Sequence, residues 1–182
     1  MCADLPQFVR DPRRGPWPPI VHTRGTCDDD LVADASVPEC LECTEVQGTV
    51  DVPGGYLYTD DVVVSFHRPP LQDRTVFAGH LLVVPRRHAG GFGDLSRAEA
   101  ASLGIAMHAL CRALAAAGAR TVYSATIGRR ADNHLHVHLM PRWPETPAEV
   151  AWHAVDEWPG ARRLDVTGIA ELCQVLRSSL GE

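Results

Sequence analysis

Apolar positions fall into regular periods only from about Gly55 onward. Tyr56-Leu57-Tyr58, a polar Asp60-Asp61 pair and Val62-Val63-Val64-Ser65-Phe66 read as a hairpin of aromatic and β-branched residues. His80-Leu81-Leu82-Val83-Val84 is a short apolar run, entered through Gly79 and stopped by Pro85, which predicts a buried strand. The period then changes from two to 3.6. Ser96 with Glu99 three residues on forms a capping box, and Leu103, Met107, Leu110, Cys111 and Leu114 recur at helical spacing up to Gly118. His108 lies off that stripe and reads as a surface residue. Thr121 to Thr126 reads as another strand, Gly128 to Asp132 as a polar loop, and His134 to Met140 as a strictly alternating strand ended by Pro141 and Pro144. A last helix is predicted from about Thr167, with Ile169, Leu172, Cys173, Leu176 and Leu180 on one face. Strands first, one long helix between strands and one helix at the end predict an α+β domain with an antiparallel sheet.

Residues 1–38 carry no such period. Pro6, Pro12, Pro16, Pro18, Pro19 and Pro38 and the run Asp28-Asp29-Asp30 give an irregular extension, leaving residues 39–182 as the domain. No apolar run approaches the roughly 20 residues of a membrane span, and the first residues lack a signal-peptide core. Six cysteines without an export signal are expected in a reducing compartment.

The formal net charge of −6 argues against a nucleic-acid-coating surface while leaving room for one anionic ligand in a local basic pocket. All 17 basic residues are Arg, so Schiff-base and P-loop lysine chemistry is excluded. The nine histidines are more informative than the charge. In a strand, His134, His136 and His138 share one face about 6.6–7 Å apart, while Leu135, Val137 and Leu139 face a core. Such a row can bind a metal, or supply a nucleophile flanked by groups that orient it and carry protons, because imidazole titrates near neutrality and has two distinct nitrogens. Cys40 and Cys43 are the one pair at metal-ligand spacing, and a C-x₂-C pair needs two further ligands to close a tetrahedral zinc. No helical pattern begins at Cys43, which disfavours a redox pair.

His134-Leu-His136-Val-His138-Leu-Met140 resembles the signature of the histidine triad family of nucleotide hydrolases and nucleotidyl transferases. Gly79-His80-Leu-Leu-Val-Val-Pro85-Arg-Arg-His88, then Asp94-Leu95-Ser96 and its helix, resemble the family's preceding segments in order and spacing. Cys40-Leu-Glu-Cys43 followed by Tyr58-Thr-Asp60-Asp61 resembles the zinc-bearing N-terminal part of many members, so the likeness runs from about Cys40 to Arg142.

The resemblance implies a five-stranded antiparallel sheet with a long helix packed on it, in a cytoplasmic homodimer acting on a nucleotide phosphoester, phosphoramidate or anhydride. His136 is the implied nucleophile, forming a covalent nucleotidyl-histidine. His138 is implied to contact phosphate and protonate the leaving group, and His134 to orient His136 or serve as a ligand. By likeness to zinc-containing members, Cys40, Cys43, His88 and His134 are the implied ligands of a structural Zn2+. Two departures accompany the likeness. Arg68, after Phe66, stands near the place where members carry an Asp or Asn for the ribose, and Arg cannot accept a hydrogen bond. The loop before the triad is short, leaving Asn133, Arg129 and Arg130, the first for a phosphate, together with Phe66 and Arg68 as candidate substrate contacts, and Asp73 as an alternative ribose partner. A non-catalytic zinc and nucleotide-binding module, and a metalloenzyme using the histidine row as an open site, stay open as alternatives.

Overall fold

A computed structural model describes residues 40–70, 75–127 and 133–181. The extension expected over residues 1–38, and Asp73, Arg129 and Arg130, lie outside the described residues. The elements are α1 (Leu41–Gln47), β1 (Tyr56–Thr59), β2 (Val63–His67), β3 (Val76–Phe77), β4 (Leu81–Pro85), α2 (Arg97–Ala116), β5 (Thr121–Ala125), β6 (Val137–Arg142), β7 (Arg163–Leu164) and α3 (Val166–Leu180). Five strands form one antiparallel sheet in the order β1-β2-β4-β6-β5. β3 and β7 make a separate two-residue ribbon, too short for any period to signal. The expected α+β class, five-stranded sheet, long helix and C-terminal helix are all present.

The central strands are apolar along their length because both faces of the sheet are covered. One face carries α2 and α3: Leu57, Val63, Leu81, Val83 and Leu139 pack against Leu103, Leu110, Leu114, Ile169 and Leu176. The other carries α1: Val64, Phe66, Leu82 and Val84 pack against Val46 and Val52. α2 starts where the capping box predicts, with Ser96 Oγ accepting from the Glu99 amide at 3.2 Å and Glu99 accepting from the Ser96 amide at 2.7 Å. The β1–β2 turn is set by Asp60, whose Oδ1 accepts from the Val62 and Val63 amides at 2.8 and 2.7 Å.

Three expectations about elements need correction. The histidine strand does not begin at His134: pairing with β4 starts at Val83↔Val137, and His134 to His136 is extended chain outside the ladder. The residue that would continue the β4 side is Pro85, which has no N–H, and its carbonyl is taken by His134 Nε2 at 2.8 Å. The Leu135 amide donates instead to Ala89 O. Nor does Pro141 end the strand, which runs to Arg142; Pro141 pairs with Val122 of β5 and lies beyond the last β4 pair, Leu81↔Leu139. Finally, the cysteine pair sits on a helix, with Cys40 as N-cap of α1 and Cys43 in its first turn. Seven residues with β-branched Thr44 and Val46 are too few to display a helical stripe.

Candidate active site and metal centre

Cys40, Cys43, His88 and His134 converge, and their donor atoms all lie within 4.8 Å of one another. Cys40 Sγ is 3.6 Å from His134 Nδ1, and Cys43 Sγ is 3.4 Å from both His134 Nδ1 and His88 Nδ1. A tetrahedral ion with metal–sulfur bonds of about 2.3 Å and metal–nitrogen bonds of about 2.1 Å separates its donors by roughly 3.5–3.8 Å, so the cluster fits. His134 Nε2 donates to Pro85 O, leaving Nδ1 with the lone pair a metal needs. Burial, ahead of a smaller effect from His88, holds the His134 imidazole below its usual range and therefore neutral. Burial also pushes the Cys40 thiol up to about 12, so a bound cation has to displace that proton. This is a Cys₂His₂ set suited to a structural zinc, tying α1 to the chain entering β6. The helix removes the sequence argument against a redox pair; the convergence of two imidazoles on both sulfurs is the stronger ground for a metal.

Beyond His134 the chain alternates, so His136 and His138 face the α1 side while Val137 and Leu139 enter the core under α2. His136 Nδ1 is 2.8 Å from the His134 carbonyl, which can only accept, so Nδ1 carries the proton and Nε2 the lone pair. Glu42 Oε1 lies 3.4 Å from the same Nδ1. His138 Nδ1 is 2.9 Å from Nε2 of His80, which is 3% exposed. Burial first lowers His138 to about 4, and burial first takes His80 well below its usual range, so both rings are neutral at pH 7. One proton therefore sits between them. The Nδ1 of His80 has no partner among the described residues. A buried bare nitrogen is tolerated better than a buried orphan N–H. His80 accordingly donates from Nε2, and His138 presents its own Nε2–H.

A cavity of ≈ 510 Å³ opens in front of these rings. His136, His138 and Arg68 line it together with Glu42 and Glu45 of α1 and apolar residues such as Leu82. Burial, and then the nearby Glu42, push the Glu45 carboxyl up to about 7. Arg68 is held by its own amide on His80 O at 2.8 Å and by its carbonyl, which accepts from His67 Nδ1 at 2.9 Å. Of the other expected contacts, Phe66 is fully buried in the core under α1 and offers no surface, which corrects its assignment as a substrate contact. Asn133 does not line the cavity and donates to Gly90 O at 3.2 Å. Arg142 clamps the following segment through Tyr123, Pro147 and Val150, and Trp143 donates to Ala78 O from within the core.

The sequence reading missed Glu42, Glu45 and the part played by His80. The three-residue spacing of the two acids is a signal only once α1 is known to be a helix.

The HIT domain family model matches residues 51–145. An uncharacterized HIT-like protein of Saccharolobus solfataricus is 34% identical over 116 residues, covering 59% of this chain and 77% of that protein. A histidine triad nucleotide-binding protein from Sulfolobus tokodaii superposes with a TM-score of 0.59 at 20% identity, over 78% of this chain and 92% of that one. A zinc-bound histidine triad protein from Mycobacterium smegmatis gives 0.56 at 20% identity, over 79% and 94%. At that identity the two structural likenesses concern the fold. No described helix is long and apolar enough to cross a membrane.

Proposed function

This chain belongs to the HIT-domain family, and from that premise we propose that it is a nucleotide hydrolase or nucleotidyl transferase working through a covalent nucleotidyl-His136. The observation that carries the reading is the His136 Nδ1–His134 carbonyl bond of 2.8 Å, which leaves Nε2 as a nucleophile at the cavity. Nε2 gives its lone pair to the α-phosphorus, and the bond from phosphorus to the leaving oxygen or nitrogen breaks. His138 Nε2–H hydrogen-bonds the leaving atom, which takes up a proton from water. A second water then attacks phosphorus and releases a proton to solvent, while the phosphorus–nitrogen bond to His136 breaks and restores the enzyme. Arg68 holds phosphate oxygens, since phosphoryl transfer needs positioning and charge stabilisation above all.

Zinc on Cys40, Cys43, His88 and His134 belongs to the same reading, supported by the donor geometry and by the zinc in the mycobacterial relative. With four protein ligands it supplies rigidity and no open coordination position. A nucleotide as substrate, a homodimer and a cytoplasmic location complete the proposal. It is tested by intact-mass spectrometry of acid-quenched protein after brief exposure to dinucleoside polyphosphates, nucleoside phosphoramidates and nucleoside diphosphate sugars. A nucleotidyl increment present in the wild type and absent in His136→Asn is expected. No adduct and no consumption of any substrate would leave a zinc-holding binding module.

A further inference from the structure

Within the cavity, Glu45 is a polar side chain with nothing to bind. It is 4% exposed, lines the cavity, and no described residue hydrogen-bonds its carboxyl. It is also firmly placed. α1 is anchored at one end by the cysteine cluster, and Tyr56 Oη donates to the Glu45 carbonyl at 2.6 Å. Glu42 and Glu45 are three apart on α1 and share a face, with Glu42 beside His136 and Glu45 one turn further on. The reacting phosphate belongs at His136, His138 and Arg68, so Glu45 meets the part of the substrate beyond it.

We propose that Glu45 is a specificity-determining residue whose carboxyl receives two adjacent hydrogen-bond donors on the nucleoside part of the substrate. This rests on the nucleotide reading above. In its ionised form the Glu45 carboxyl has two oxygens and accepts only, so its ligand must bring O–H or N–H groups. An acceptor that a bound ligand cuts off from water without pairing is costly, which makes such a site reject analogues that lack the donors far better than an apolar wall does. Two parts of a nucleotide supply a donor pair at the right spacing: the ribose 2′,3′-diol, and the N–H/NH₂ edge of guanine.

Calorimetric titration of the zinc-loaded full chain at pH 8 separates the sources. The ligands are adenosine and guanosine 5′-monophosphates and their 2′,3′-dideoxy forms, against wild type and Glu45→Gln. A diol contact weakens both dideoxy ligands at least tenfold and leaves the bases equal. A guanine contact makes the guanosine ligand at least tenfold tighter and leaves the sugar change silent. In either case the discrimination falls below about threefold in Glu45→Gln. Equal binding of all four ligands to the wild type overturns the proposal whatever the variant does, and so does discrimination that survives in a zinc-loaded Glu45→Gln. If none of the ligands binds and no nucleotide is turned over, the nucleotide reading itself falls, and this proposal with it.

Discussion

His80 does not line the cavity described above, yet it decides which nitrogen of His138 carries a proton. Replacing it with leucine leaves His138 free to put the proton on Nδ1, away from the cavity. We expect His80→Leu to lower kcat roughly ten- to hundredfold with KM changed little, since the lost function is a hydrogen bond to the leaving atom as it departs rather than binding. Steady-state hydrolysis of a nucleoside phosphoramidate reads both constants, and a rise in KM alone would sink the tautomer argument. His67 plays no chemical part, but it pins β2 to β4. Its Nδ1 donates to Arg68 O, and its Nε2 accepts from the Gly79 amide at 3.0 Å. Burial holds it at about 4 against an ordinary 6.5. Between those values the unfolded chain takes up a proton that the folded chain refuses. This share of stability is therefore complete above pH 6.5 and is lost as pH falls toward 4, on the order of 3 kcal/mol in all. Urea midpoints should fall over that window, and the fall should be shallower in His67→Asn. Equal slopes in the two proteins would contradict it.

At the scale of elements, the histidine row was legible because a strict alternation of three imidazoles with apolar residues is rare and has a geometric meaning. What the alternation did not reveal is where the ladder stops. That is decided by Pro85, on another strand, and by the ring of His134, which takes the carbonyl a strand partner would have used. α1 was illegible for a related reason. A seven-residue helix gains too little from its own hydrogen bonds to be written in propensity, and its position is set by Cys40 and Cys43 at one end and the left-handed Gly48 at the other. Its order should then depend on the metal. Hydrogen exchange of the 41–47 amides should accelerate at least tenfold on chelation or in Cys43→Ser, with the α2 amides unchanged. Uniform acceleration of both helices would mean that the metal supports the whole fold rather than α1.

Over the whole molecule, the family match ends at residue 145 while the core does not. Ile169, Cys173 and Leu176 of α3 are fully buried against α2, and Gly54, at φ +77°, lies so close to α3 that a Cβ there would come within 2.9 Å of the Cys173 side chain. The apolar period of α3 was visible in sequence; its partner was not, because a stripe says that a face is buried and not against what. Removing residues 166–182 exposes the apolar face of α2, and each lost buried side chain costs roughly 1.5–3 kcal/mol. The truncated chain should be aggregated or lack a cooperative thermal transition, whereas a folded, zinc-loaded truncation would show that α3 is an ornament on a self-sufficient domain.

His134 is tied in three directions at once: Nδ1 to the cysteines, Nε2 to Pro85, and its carbonyl to His136. Loading the metal and orienting the nucleophile thus draw on one residue. Under the proposed function, a half-loaded preparation holds two kinds of chain, competent and idle, instead of one kind at half speed. Specific activity plotted against bound zinc should be a straight line through the origin, and its slope is the turnover number of a single loaded subunit, whatever the quality of the batch.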